Sequence, residues 1–401
     1  MPRSISRRDF ARRGGALACA AVCGAPNPFS KPSSGPPPLD LATMLAIAGV
    51  PGIQQATAGD GADEVAPFLG NADAGSGRAV DAGSVFEAAS LSKVTVAYLA
   101  LLMADRGIVE LDAPMRDYLA ESPVPDDPRG DRITIRHVLS HTTGLQNWRF
   151  RAGDTLRLAF APGERFGYSG EGFVLLQRVL EQRTNTAFAR LMREQLFEPL
   201  GMRRASFLWM PELAPHLARP HGNRGNPLDS FNQRLGRELA EYAGKQAPPV
   251  TAESIRYPEL IEAARAIAPD RPPFPNFLVP NAAASLLTTA SDYARFAALL
   301  LDDATAPPAL RLRPATRQAM RTPQVRLAPR LAWGLGIGIE EQEDTALLWH
   351  WGDNGGYKDF VIADPAGRRA RVIFTNGSGG MKVVERLLRV EYGDLASLLW
   401  V

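Results

Sequence analysis

The chain has 401 residues, with 45 Lys plus Arg against 43 Asp plus Glu, a formal net charge of +2, and 45% hydrophobic and 22% charged residues. This suits one large globular domain or two smaller ones. The near balance of charge excludes a general nucleic-acid binder, which needs a basic excess. Two cysteines, Cys19 and Cys23, are too few for a disulfide scaffold or a four-cysteine zinc site.

In chain order, five arginines (Arg3, Arg7, Arg8, Arg12, Arg13) precede a short apolar run from Gly14 to about Ala25. The run is too short to span a bilayer. Ser6-Arg7-Arg8-Asp9-Phe10 is similar to the twin-arginine export signal, S-R-R-x-F, which implies a bacterial periplasmic or secreted product. An amphipathic first helix is the competing reading. Residues 1–25 are therefore expected to be a signal peptide, cut near Ala18-Cys19-Ala20 or Cys23-Gly24-Ala25, with Cys19 a candidate lipoprotein anchor. Losing five arginines and Asp9 turns the charge from +2 to −2, so the basic bias is an export address. Residues 26–38, rich in Pro and Ser, read as a linker. No run of 18 apolar residues follows, so no transmembrane segment is expected in the mature chain.

Residues 39–49 predict a helix, and 52–58, 65–70 and 78–86 predict strands separated by Gly/Asp turns. Leu91–Arg106 predicts a helix, with Val94, Ala97, Tyr98, Leu101 and Leu102 at helical spacing and Gly107 as its stop. Phe173, Leu176 and Leu180, then Phe188, Leu191 and Met192, mark two further helical stripes. Residues 203–284, with many prolines and little periodicity, read as an irregular excursion over the core, a candidate lid. Trp333–Glu340 predicts a strand with one glycine face (Gly334, Gly336, Gly338). Residues 347–351, 358–363 and 370–375 predict three more strands, with Pro365-Ala366-Gly367 as a hairpin turn, and Met381–Glu391 a closing helix. The fold class expected is α+β. Its sheet would come from residues 39–115 and 285–401, with a helical and irregular insert at 116–284, all within one domain spanning 39–401.

HExxH, GxxxxGKS and GxSxG are all absent from the sequence. His137 and His141, four apart, could place two metal ligands on one helix face, but no third ligand is evident and a structural role is preferred. The sharper signal is Ser90-Leu91-Ser92-Lys93. Serine and lysine three apart at a helix start share one face. The helix N-terminus there favours developing negative charge. Serine needs a base to become a nucleophile. Lysine can serve if burial lowers its pKa from ~10.4 to roughly 7 or 8. An N-cap serine beside a solvated lysine would read the same way. With only five lysines in the chain, the match gains weight.

Two later segments join it: Tyr168-Ser169-Gly170 before a helix, and His350-Trp351-Gly352 ending an apolar strand. Together with SLSK they resemble the three signatures SxxK, YxN and K/H-T/x-G of the serine β-lactamase and penicillin-binding superfamily. The order matches. So do Leu139–Leu145, Glu198–Met202, Leu287–Asp292 and Trp333–Gly336. The resemblance covers about residues 40 to 400. It points to the class C-like branch, with its β-lactamases, D-alanyl-D-alanine carboxypeptidases, D-aminopeptidases and family VIII esterases. It implies a β-lactamase/transpeptidase-like fold, an antiparallel sheet flanked by helices with a helical subdomain. It further implies Ser90 as acylated nucleophile, Lys93 and Tyr168 as the proton-handling pair, and the backbone N–H groups of Ser90 and Asp353 as oxyanion hole. Substrate contacts would come from His350, Trp351, Gly352 and Gly170.

Two departures bear on substrate. Gly170 stands where the family usually has Asn, and so offers no side-chain amide. His350 stands where β-lactamases usually carry Lys, and a largely neutral imidazole grips a carboxylate less strongly. Trp351 adds an apolar wall. The expectation is an exported serine hydrolase acting through an acyl-enzyme on an ester or D-amino-acid peptide or amide, with β-lactam hydrolysis third. A non-catalytic penicillin- or cell-wall-binding module is the alternative. No metal or other cofactor and no nucleic-acid partner are expected.

Overall fold

The structure, a computed structural model, describes residues 39–59, 68–304 and 306–400. The twin-arginine stretch, both cysteines and the Pro/Ser-rich linker lie outside these residues. In chain order the elements are α1 (Leu41–Ala48), β1 (Gly52–Gly59), β2 (Leu69–Asp73), β3 (Arg78–Ala79), β4 (Phe86–Glu87), α2 (Ser92–Asp105), α3 (Ile135–Leu139), α4 (Gly170–Thr184) and α5 (Phe188–Met192). There follow α6 (Phe231–Gly244), α7 (Tyr257–Ile267), β5 (Leu287–Thr288), α8 (Ala290–Leu301), α9 (Pro314–Met320), β6 (Val325–Ala328), β7 (Leu331–Trp333), β8 (Gly338–Glu341), β9 (Ala346–Asp353), β10 (Lys358–Asp364), β11 (Arg369–Thr375) and α10 (Gly380–Tyr392).

Among the described residues, nine strands form one antiparallel sheet in the order β3-β2-β1-β11-β10-β9-β8-β7-β6. β1 pairs with β11, Ile53 opposite Thr375, so an early and a late segment share the sheet centre. Alternate side chains feed two cores, as a period-2 strand requires. In β10, Val361 and Ala363 join the core of α2 and α8, while Phe360 and Ile362 join that of α10. In β9, Leu348 shares the α2 core, and Leu347 and Trp349 the other. α2 is buried on every side from Ser92 to Met103. A helix apolar all round belongs at the centre of a large domain. This is the α+β, β-lactamase-like architecture the sequence predicts.

Several local expectations need correction. Residues 78–86 are not one strand: Gly83 N–H donates to Asp81 Oδ1 (2.9 Å), and the turn there separates β3 from β4. β4 then pairs with β5 in a separate two-stranded sheet. Of the strand expected at 65–70, residues 65–67 lie outside the described residues, and the described strand runs on over Leu69–Asp73. Trp333–Glu340 is not one strand either. Gly334 N–H bonds to Ile337 O (2.8 Å), and Gly336 takes φ +81°. A Cβ on Gly336 would stand 2.1 Å from Ala97 Cβ, so the glycines make a turn seated on α2. Residues 203–284 are more ordered than expected. They carry α6, with Leu235, Leu239 and Ala243 buried at four-residue spacing, and α7, with Leu260 and Ala263 buried.

Candidate active site

Ser90 lies in a tight helical turn (Ala89–Leu91) that leads into α2. Ala89 holds φ +46°, a conformation a residue with a Cβ rarely adopts. Neighbours keep it there. Ala88 N–H donates to Leu286 O (2.8 Å), and the buried Ser92 hydroxyl accepts from Leu286 N–H (3.0 Å) while donating to Ala89 O (2.5 Å). The segment just before β5 thus laces the Ser90 turn in place.

One turn on, Lys93 is 1% exposed. Its amine donates to Ala283 O (2.9 Å) and lies 3.1 Å from Ser90 Oγ. Burial alone pushes its pKa down to about 7. A neutral amine can give one hydrogen to Ala283 O and turn its lone pair to the serine proton.

Tyr168 precedes α4, whose N-cap Ser169 accepts from Gly172 N–H (3.1 Å). The Tyr168 ring lies 4.7 Å from the Lys93 ammonium position and packs, tilted, against His141 (4.2 Å, 30°) and Trp351 (5.0 Å, 33°). Its hydroxyl is buried and makes no hydrogen bond of normal geometry. Burial pushes the phenol up, opposed only in part by the Ser90 hydroxyl.

The two histidines of the metal-site reading do not share a helix face. His137 Nδ1 accepts from Thr134 N–H (3.2 Å) in the capping box of α3. His141 lies past the end of that helix at φ +55°, its Nδ1 accepting from Ser169 N–H (3.2 Å). His141 is a wall of the tyrosine site, a place its sequence context did not reveal.

β8 pairs with β9 from Ala346 to Trp349 and no farther, so the end of β9 runs on beside the Ser90 turn. A Cβ on Gly352 would stand 2.7 Å from Ala88 O and 3.2 Å from Ala89 Cβ, so only glycine permits that approach. Asp353 lies at the strand end, its carboxylate paired with Lys358 (2.6 Å). His350 is completely buried on the α2 side of β9, not on the cleft surface. Its Nδ1–H donates to Trp351 O (2.7 Å). Burial, reinforced by Lys93, pushes it down to about 3, so it is neutral at physiological pH.

Beside Ser90 opens a cleft of about 350 Å³, lined among others by Trp148, Phe231, Asn232, Asn354 and Tyr357. Among the described residues no Lys, Arg or His lines it. Its floor includes Glu87, 2% exposed, which sequence reasoning missed. Its carboxylate accepts from Ser230 Oγ, Asn232 Nδ2 (3.0 Å) and Asn354 Nδ2 (2.8 Å). The available signal was an acid in the apolar run Val85-Phe86-Glu87-Ala88 just before SLSK. Gly170 is covered by Trp148: an added Cβ would stand 2.2 Å from the indole Cζ2.

Among the described residues no helix is long and apolar enough to cross a membrane. Comparison with known proteins gives the family. Residues 41–392 match the Beta-lactamase family model. Penicillin-binding protein 4 of Amycolatopsis lactamdurans is 25% identical over 348 residues, 81% of this chain and 80% of that protein. Esterase EstB of Burkholderia gladioli is 31% identical over 167 residues, 35% of this chain and 42% of that protein. The D-alanine carboxypeptidase AmpC structure from Burkholderia cenocepacia superposes with a TM-score of 0.65 at 19% identity, over 87% of this chain and 96% of that one. The chain belongs to the beta-lactamase family and is a serine hydrolase of that family.

Proposed function

We propose that this hydrolase works through an acyl-enzyme on an ester or D-amino-acid amide. Ser90 Oγ attacks the carbonyl carbon while its proton passes to the neutral Lys93 amine, with Tyr168 sharing the transfer. The carbonyl oxygen takes the negative charge and is met by the backbone N–H groups of Ser90 and Asp353. Such preorganised donors contribute about 3 kcal/mol each. The tetrahedral adduct collapses, and the leaving group departs with the proton held by Lys93 and Tyr168. Water then attacks the acyl carbon, gives its proton to the same pair, and frees the acid and Ser90.

The observation that carries this reading is the Lys93 amine, buried, held near neutrality by that burial and 3.1 Å from Ser90 Oγ. The cleft favours substrates without a carboxylate beside the reacting bond. No cationic side chain lines it among the described residues, and His350 is neutral. This supports ester and D-amide substrates ahead of β-lactams. Export through the twin-arginine stretch near the N-terminus, to the periplasm or beyond, completes the proposal.

A fluorescent alkyl phosphonate should label the wild-type chain and leave Ser90→Ala unlabelled. Turnover of p-nitrophenyl acetate without turnover of nitrocefin is expected. Equal labelling of Ser90→Ala would overturn the nucleophile. Labelling without turnover of any ester or D-peptide would favour a binding module.

A further inference from the structure

We infer that Trp148 sets acyl-group specificity: its indole, locked over Gly170, gives the cleft beside Ser90 a flat apolar wall. The substrate class is then an ester or amide whose acyl group carries an apolar, preferably flat, substituent. This rests on the acyl-enzyme reading above.

The wall is built, not incidental. Cζ2, Cη2 and Cε2 of Trp148 would lie 2.2, 2.3 and 2.6 Å from a Cβ on Gly170. Real Cβ contacts do not approach that closely, so the indole fills the space any side chain there would take. Both residues flanking Trp148 are tied to the start of α4. Asn147 Oδ1 accepts from Gly170 N–H (2.9 Å), and Asn147 O accepts from both Gly170 and Glu171 N–H (3.2 and 3.1 Å). Arg149 donates from its backbone N–H and from Nε to Glu171 Oε1 (3.1 and 3.0 Å), and from Nη2 to Oε2 (3.0 Å). Its guanidinium lies 4.6 Å from the Phe274 ring centroid. The same helix start carries Tyr168 two residues before Gly170, so the wall is fixed to the element that holds the tyrosine. Trp148 lines the same cleft as Ser90. A rigid aromatic face offers large apolar contact at little entropic cost.

The test is the ratio of kcat/KM for p-nitrophenyl phenylacetate to that for p-nitrophenyl acetate. Wild type should prefer the phenylacetate. Trp148→Ala should lower the ratio about tenfold, the usual scale of apolar pocket discrimination. Trp148→Phe should keep it within about threefold of wild type. Gly170→Ala should lower it in the wild-type background but not in Trp148→Ala, where the added methyl has room. A wild-type ratio near one, or a Trp148→Ala ratio within twofold of wild type, would overturn the inference. If Trp148→Ala does not fold, Trp148→Leu gives the same reading, since it retains bulk without a flat face. Ester hydrolysis surviving Ser90→Ala would instead refute the acyl-enzyme reading, independently of the ratio.

Discussion

The Lys93 amine and the Ser90 hydroxyl stand 3.1 Å apart, and the amine's other polar contact is the Ala283 carbonyl at 2.9 Å. A carbonyl satisfies a hydrogen without stabilising a full positive charge as a carboxylate would. Base catalysis needs this amine to lose its proton, and arginine cannot. Lys93→Arg is therefore expected to cut kcat by about 10²–10⁴-fold, measured with p-nitrophenyl acetate. Wild-type kcat/KM should fall below about pH 7, where Lys93 protonates. His350, pushed down to about 3, and His141, pushed well down by burial, are already neutral there. An acid limb at pH 5, or an active Lys93→Arg, would leave lysine without the role of base.

The same amine is a liability for folding. Unfolded, Lys93 holds its proton to about pH 10; folded, to about 7. Between those values the unfolded chain binds the extra proton, so stability rises with pH across the window and is lost as pH falls toward 7. The shift amounts to about 4–5 kcal/mol, offset in part because a replacement strands the Ala283 carbonyl. Lys93→Met should therefore be inactive yet more stable than wild type at pH 7 by on the order of 1–2 kcal/mol. The advantage should shrink toward pH 10. Urea unfolding at the two pH values reads it directly, and a variant less stable at pH 7 would contradict the burial argument.

How much of this was legible in the sequence follows from the range of each signal. Ser90 and Lys93 are three residues apart on one helix, so their contact is local and spacing reveals it. The alternation of β9, β10 and β11 is local too, and their strands lie where periodicity puts them. Gly334 and Gly336 mimic an alternating strand, and their use as a turn depends on Ala97, far away in sequence. α6 and α7 were hidden by the prolines around them, although Pro258 lies in the first turn of α7, where a missing N–H costs little. The fit of Trp148 over Gly170 joins residues 22 positions apart with no motif linking them. His350 looks like a surface ligand in a strand-end motif, and only sheet register puts it on the buried side.

Glu87 joins three parts of the cleft: its own β4, the start of α6 through the N-cap Ser230 and Asn232, and the Asn354 turn. Burial pushes its carboxyl up despite those donors. Glu87→Ala removes an acceptor from three side chains and should cost about 2–3 kcal/mol, with KM rising more than kcat falls as the cleft wall loosens. Glu87→Gln, which keeps an acceptor oxygen, should lose less. Because its folded-state pKa is raised, wild-type stability relative to Glu87→Gln should fall as pH rises above about 4.5. Chemical unfolding of the three proteins at pH 5 and 8 tests both statements. A gap between wild type and Glu87→Gln that stays constant from pH 5 to pH 8 would show that the carboxyl is not raised in the fold.

Glu181, 2% exposed in the last turns of α4, makes a second pH-sensitive joint, remote from Ser90. One carboxylate oxygen accepts from Phe188 N–H (3.0 Å) at the start of α5, the other from Tyr257 N–H (2.8 Å) at the start of α7. Burial outweighs these donors and pushes the pKa from the usual 4.5 to about 7. The folded chain therefore holds a proton that the unfolded chain releases. Its stabilisation is complete below about pH 4.5 and is lost as pH rises to 7, a change of about 3 kcal/mol. Glu181→Gln removes the titration, so between pH 5 and 7.5 wild type should lose stability relative to this variant, by an amount approaching that figure. Eleven residues of helix separate Glu181 from Gly170, about 16 Å, so kcat/KM for p-nitrophenyl acetate should stay within twofold. Parallel stability curves for the two proteins would mean that Glu181 is ionised in the fold across the whole range. A large loss of activity would tie the docking of α7 to the active site.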